Sequence, residues 1–500
     1  AVVNRAPGRS SFKMTELQNM SKVEEAMLPQ NGDGSGGNAE GAKMPQYLVT
    51  LAATMLVFSG GAVIGWSAPA LPMLENTNST LPFHTTPDES SWIGALLAIG
   101  ALIGAFPAGS LADMLGRKMS ILVLSAPLLL SWGVIFFAGS AMMLYAARLI
   151  AGIGLGAICT IVPMYIAEIA EDSIRGTLGV AFPLMICSGV CYTYVLGAFL
   201  SYDNLILTCA ILPIISFLVF VRAPETPLHL LRKGERAEAE RSLRSLRGSD
   251  YNSYKEIQAM DEELTGQDKI NAPFMEVACT PQGKRSIAIS LGLMAGQQFS
   301  GINIIIFFAG NIFKDAGSSM DPATAVILIG VTQIIVGLVN LVLIEKAGRK
   351  SLLQASAILM TFSLLVLGYY FFKKERGDDL TSIQSIPVIA VISYMIAFSL
   401  GFGPIPWMIS GEVLPQEIKA VTTGIATSFN WLLAFLVTKA FKPIIDAIGA
   451  AYTYWLLAFL CILAFLFSTY VVVETKGKSL SQIQDELSGH KPIPTDERKS

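Results

Sequence analysis

The sequence predicts an all-α membrane protein: twelve transmembrane helices in two pseudo-repeated six-helix bundles, with short helices between them. Three observations carry this. Of 500 residues, 52% are hydrophobic and 15% charged, with a mean hydropathy of +0.55, whereas soluble chains carry about 25% charged residues. Twelve runs are apolar over about 20 residues, the length a helix needs to cross hydrocarbon. One long charged gap, 222–285, divides the runs six and six.

The chain opens with AVVNRAPGRSSFK, which has no apolar core and does not read as a signal peptide. It begins with Ala1, so this stretch reads as leader sequence or a truncated end, with Met14 or Met20 as starts. Residues 1–44 are polar and Gly-rich and are expected to form a disordered tail. The spans fall near 46–72, 91–112, 119–139, 142–166, 176–200 and 204–221, within a first bundle over 45–222. Those of the second bundle, 285–475, fall near 286–313, 323–344, 351–372, 385–411, 420–438 and 449–473. Residues 476–500 read as a second tail. In the linker, 223–284, ERAEAERSLRSLRG places Glu238 with Arg241 and Leu243 with Leu246 at helical spacing. Short amphipathic helices are expected there, a solvated linker being the alternative.

Lys and Arg set the orientation. The loop 73–90 has neither; 113–118 has Arg117 and Lys118; the long gap has eleven; 345–350 has Lys346, Arg349 and Lys350. These basic loops share one side, which is expected to be cytoplasmic together with both termini. Lys373, Lys374 and Arg376 then fall outside, accompanied by Asp378 and Asp379. Asn78-Ser79-Thr80 is a glycosylation sequon in the first outer loop. The net charge of −3 gives no reason to expect nucleic acid. Five of the six cysteines, Cys159, Cys187, Cys191, Cys209 and Cys461, lie in apolar runs, and none of the six is part of a CxxC pair. Neither a disulfide framework nor a zinc site is expected.

An internal repeat carries the charges of the spans' ends. Asp113-Met114-Leu115-Gly116-Arg117-Lys118 resembles Glu345-Lys346-Ala347-Gly348-Arg349-Lys350, an offset of 345 − 113 = 232. Glu168 and Arg175 repeat as Glu412 and Lys419, offset 412 − 168 = 244; Glu225-Thr226 repeats as Glu474-Thr475, offset 249. Acids and bases at the cytoplasmic ends of helices stay charged at small cost in interfacial water. They can bridge helices in one arrangement and part in another, so the set reads as latches on a conformational equilibrium. Gly116 and Gly348 allow a tight turn. The plainer reading is that these charges only anchor helix ends.

GSLADMLGRK, PMYIAEIAEDSIRG, APETP, QQFSGIN, EKAGRK, GPIPW, GEVLPQEIK, SFNW and VETKGKSL together resemble the sugar-porter branch of the major facilitator superfamily over about 46–490. PETP through SLRSLRG and FNWLLAFLVTKAF look most like insect facilitated trehalose transporters, with likeness also to intracellular-type glucose transporters. The resemblance implies the major facilitator fold. It also implies facilitated transport of a neutral sugar, trehalose or a hexose, with no cofactor, metal or enzymatic step; a monomer in the plasma membrane is expected, an endomembrane location being the alternative.

A sugar needs neutral groups that donate and accept hydrogen bonds, which amides supply. Amides also avoid lipid. The resemblance implies Gln297, Gln298 and Asn303 in span 7, Gln333 in span 8, Trp407 after the GFGPIP break in span 10 and Asn430 in span 11 as sugar contacts. Interhelical bonding is the alternative use of such amides. Gly301 and the prolines at 404 and 406 are expected to loosen their helices. The chain departs from the branch at Pro183, where a glutamine is usual, at Met114, Leu228, Phe307 and Phe308, and at Lys419 in place of arginine. Where proton-coupled relatives have an aspartate after a glycine-aromatic pair, Gly65-Trp66 is followed by Ser67. No proton carrier is visible in the spans, where only Arg148 is charged near the outer start of span 4, so uncoupled transport is expected. The rival readings are a symporter using Glu168 or Glu412, an organic-ion facilitator and a transporter-like sensor. A membrane enzyme is disfavoured, since no HExxH, GxSxG or Walker motif is present.

Overall fold

Apolar runs of this length become helices because hydrocarbon offers backbone groups no other partner. The computed structural model describes residues 41–77, 83–171, 173–249, 251–269, 274–317, 320–478 and 480–488, which contain helices and no strand. Among the described residues, twelve helical spans are long and apolar enough to cross a membrane. Spans 1 to 6 are Lys43–Glu75, Pro87–Leu115, Arg117–Phe136, Ala141–Ile169, Arg175–Phe199 and Tyr202–Phe220. Spans 7 to 12 are Pro281–Ala316, Ala323–Asn340, Arg349–Glu375, Ile386–Val413, Glu417–Ile448 and Ala450–Tyr470. The first begins within the stretch expected to be a tail, at Lys43. Asn78 lies outside the described residues.

Small residues set the packing within the first half. Spans 2 and 4 meet through Gly100 and Gly104 on one side and Gly152 and Gly156 on the other. A Cβ added at Gly104 would stand 2.0 Å from the Ile153 carbonyl oxygen, and one at Gly156 would stand 2.0 Å from that of Ala101. Without a hydrophobic force between helices in lipid, such backbone approach is what holds them together. Spans 1 and 5 repeat the device through Gly61 and Gly189. The halves face each other chiefly with span 2 against span 11 and span 5 against span 8, and span 7 also packs on span 1.

The linker forms four helices, Pro227–Arg232, Arg236–Arg247, Ser253–Lys269 and Phe274–Ala278. Leu231, Ala239, Leu243 and Ile257 make a small core of their own. Buried Arg247 fixes this layer to span 4, donating to the Ile169 carbonyl at 2.8 Å while pairing with Glu256 at 2.9 Å. Part of the C-terminal stretch read as a tail forms another helix, Leu480–Ser488, with Ile483 and Leu487 buried. Gln484 Nε2 donates to the Val413 carbonyl at 2.6 Å, and Arg285 donates to that of Leu487 at 2.9 Å. The linker and this helix define one end of the molecule, called here the linker end; the other is the far end.

Candidate functional site

Two broken helices create the centre of the second half. Span 7 is helical over Pro281–Phe299 and Ile302–Ala316, and Gly301 between them has φ +88°, in the left-handed region that favours glycine. Span 10 is helical over Ile386–Leu400 and Ile405–Val413, with Gly401–Pro404 forming the break. The break frees carbonyls, and Gln297 uses two of them: its Nε2 donates to Phe402 at 2.7 Å and to Gly403 at 2.9 Å.

From there an amide relay runs across the half. Asn430 Nδ2 donates to Gln297 Oε1 at 2.8 Å, Gln298 Nε2 donates to Asn430 Oδ1 at 2.9 Å, and Asn303 Nδ2 donates to Gln298 Oε1 at 2.6 Å. Gln297, Gln298 and Asn430 are buried, and Asn303 ends the relay half-buried. Adjacent side chains at 297 and 298 therefore both reach Asn430, although they leave the helix in different directions. Gln333 and Trp407 share no hydrogen bond with the relay among the described residues. Buried Gln333 Oε1 has no partner, and Trp407 is 38% exposed. Two further features escaped the sequence reading. Trp431, beside Asn430, has a buried Nε1 without a partner; Met294 Sδ accepts from Asn430 Nδ2 at 3.4 Å. The SFNW motif held the first signal.

A charge also lies inside the first half. Arg148 is fully buried two turns into span 4, donating to the carbonyls of Val63 (2.7 Å) and Ile93 (3.1 Å) and to Ser67 Oγ (2.9 Å). Its guanidinium lies 5.4 Å from the Trp66 ring centre. Neutral acceptors and an aromatic face thus hold the cation.

At the linker end the internal repeat is visible atom by atom. Gly116 and Gly348 have φ +93° and +86° with ψ 158° and 156°, and a helix starts at the next residue of each. Glu225 caps the first, accepting from the backbone N–H of Arg117 (3.0 Å) and Lys118 (3.1 Å). Glu474 caps the second, accepting from Arg349 and Lys350, each at 3.0 Å. Carboxylates at helix N-termini meet unpaired donors and a favourable dipole. Burial works to raise the Glu474 acid, but amides of Lys476, Arg349, Lys350 and Thr475 outweigh it and hold the group below its ordinary value. Glu168 meets Arg117 Nε at 3.1 Å and Thr226 Oγ1 at 2.6 Å, and Glu412 meets Arg349 at 3.4 Å and Thr475 Oγ1. Each glutamate thus bonds the arginine that follows the turn glycine of its own half. Arg175 donates to the Ala170 carbonyl at 3.4 Å, and Lys419 lies in the helix Gln416–Ile448. Asp113 pairs with Arg117 at 3.0 Å. The side chain of Glu345 lies outside the described residues. Every bond just named joins residues on the same side of the internal repeat.

Polar bridges between the halves lie toward the far end among the described residues: Asp88 to Lys439 at 2.9 Å, Glu75 to Asn311 at 3.0 Å, and Tyr194 Oη to the Ile306 carbonyl at 2.9 Å. Lys439 Nζ also stands 4.3 Å from the Trp92 ring centre. Phe308, stacked on Phe441 at 5.9 Å, fills the space over Gly94 of the first half. The halves are pinned at the far end.

This chain matches the family described as "Sugar (and other) transporter" over residues 48–487. It belongs to that family. The sugar transporter family consists of transporters rather than enzymes. Among similar proteins, the facilitated trehalose transporter Tret1 of Bombyx mori is 36% identical over 96% of this chain and 95% of its own length. Its namesake in Apis mellifera ligustica is 35% identical over 89% of each. In fold the chain resembles the proton:xylose symporter XylE bound to 6-bromo-6-deoxy-D-glucose, a major facilitator superfamily protein, with TM-score 0.73, 24% identity, and 89% and 99% of the two chains covered. A POT family peptide transporter shares the fold at TM-score 0.59 and 14% identity, over 88% of this chain and 99% of the other. This family member is therefore a multi-pass membrane protein with the major facilitator fold.

Proposed function

We propose that this chain carries a neutral sugar, trehalose or a hexose such as glucose, down its gradient by alternating access. The amide relay carries the reading. Gln297, Asn430, Gln298 and Asn303 form an uncharged ladder of donors and acceptors beside two broken helices, and it ends on a half-buried asparagine. Sugar hydroxyls donate and accept in the same way, so they can extend such a ladder without a charge in the site. Gln333 Oε1, buried and unpartnered, offers a further acceptor, and exposed Trp407 offers a flat face for the sugar's C–H surface. The names of the similar trehalose transporters point the same way.

The rim networks give each half rigid corners, which suits halves that rock as bodies about the site. Lys and Arg assign the linker end to the cytoplasm, so a molecule pinned at the far end faces inward. On this reading both termini are cytoplasmic, Asn78 is an outer glycosylation site, and a monomer works in the plasma membrane. Arg148 meets Ser67 rather than a carboxylate, so it has no proton-carrying partner there, which favours uniport over symport. Purified protein in liposomes tests this. Labelled trehalose and glucose should equilibrate, compete with one another, and ignore a protonophore. Accumulation above the outside concentration that collapses with a protonophore would establish symport instead.

A further inference from the structure

We propose that His229 makes the rim network of the first half proton-sensitive, so that acidification at the linker end loosens its hold on Arg117. His229 is 3% exposed, and its Nδ1 stands 3.0 Å from Arg117 Nη1. A guanidinium can only donate, so Nδ1 must accept and the ring proton must sit on Nε2. That nitrogen is buried and has no partner. A second proton has to go on Nδ1. It would aim an N–H at a cation 3.0 Å away and add a charge in a buried place, so the bond cannot survive protonation as it stands.

Arg117 is the hub of this network. It bonds Glu168 of span 4 through Nε, and through Nη1 it reaches Asp113 and the Ala112 carbonyl of span 2; its own N–H binds Glu225 of the linker. The groups around the ring are Arg117, Asp113, Glu168, Glu225 and, at the end of its own helix and just beyond, Arg232 and Lys233. Burial, then Arg117 and Lys233, hold the imidazole below its ordinary value, against the pull of Glu168 and Asp113. With a depressed folded value the neutral ring belongs to the intact network. Its contribution is complete above the ordinary histidine value of about 6.5 and is lost as pH falls through the lower folded value.

The corresponding position of the second half has no histidine. The offset that maps Glu225 onto Glu474 maps His229 onto Lys478, since 229 + 249 = 478. Lys478 pairs with Glu486 at 2.6 Å, and lysine does not titrate near neutrality. Acid would therefore loosen one half and spare the other.

The effect on flux rests on the transport reading above; the effect on the network does not. The chain has three histidines, at 84, 229 and 490, so a histidine-labelled sample gives three ring signals, assigned through His84→Gln and His490→Gln. The His229 signal should titrate below about 6.5. In detergent, the melting temperature of the wild type should fall between about pH 7 and pH 5. In His229→Asn, which keeps an acceptor near the Nδ1 position, that fall should be at least about halved. Transport in liposomes should change with pH at the linker end in the wild type and stay flat in His229→Asn. A His229 signal titrating at or above 6.5, or equal melting profiles, overturns the proposal. Melting profiles that differ while flux in both proteins ignores pH overturn its regulatory part. If no sugar moves under any condition, the transport reading falls while the first two measurements still judge the histidine.

Discussion

Asn430 joins two glutamines that are sequence neighbours, using its donor on Gln297 and its acceptor on Gln298. Asn430→Ala would leave one buried acceptor and one buried donor without partners, and each such group costs about 1–3 kcal/mol. We expect a lower melting temperature and a half-saturating sugar concentration raised at least about tenfold, since 1.4 kcal/mol is a factor of ten. Asn303 ends the relay half-buried, where water can replace its one bond to Gln298. Asn303→Ala should therefore melt near the wild type yet also raise the half-saturating concentration. This contrast separates a binding role from interhelical bonding: if the amides only hold helices together, Asn303→Ala leaves transport unchanged. At this scale the sequence supplied the residue types, and the resemblance supplied the positions. The order of donation was not legible, because it depends on side chains from spans 7 and 11 meeting across 132 positions of chain.

Among the helices, the most specific device is the glycine-started, carboxylate-capped N-terminus. Gly116 and Gly348 occupy a backbone region open essentially to glycine alone. A Cβ at Gly116 would stand 2.3 Å from Glu225 Oε2, and one at Gly348 would stand 2.7 Å from Glu474 Oε2. Gly116→Ala and Gly348→Ala should each destabilise by about 1–3 kcal/mol, read as a lower melting temperature, and the first should be the more severe. Span 12 starts the same way after Gly449 (φ +88°), with Glu375 accepting from the N–H of Ala450 at 2.9 Å. The sequence showed the repeat but not this use of it. Glu225 and Glu474 were legible as repeated acids, yet their targets are backbone groups, which no pattern of side chains announces. The same gap hid the partner of Glu168, which the turn at Gly116 delivers as Arg117.

For the molecule as a whole, the polar bridges between halves gather toward the far end. Lys439 is the chief of these, pairing with Asp88 and lying over Trp92. Asp88 is 74% exposed, so the ion pair contributes no more than about 1 kcal/mol, with a comparable amount from the aromatic face. Lys439→Ala should shift the balance toward the arrangement open at the far end by about five- to thirtyfold. Distances between spin labels placed at the far ends of spans 2 and 11 would report it. An unchanged distance distribution would mean that other contacts, such as the packing of Phe308 over Gly94, set the balance.

Hydropathy alone determined that the chain makes twelve spans in two sets of six, because a helix in hydrocarbon must satisfy its own backbone and that demand is local. Repetition of the acid-bearing motifs likewise exposed the two related halves. Only the tertiary structure decided which groups meet. Asn430 comes between two glutamines, Glu225 reaches an N-terminus 108 positions away, and the neutral ring of His229 faces Arg117. These meetings depend on where helices end and how closely they cross, which is settled by packing between distant segments and by turns that no local property of the chain specifies.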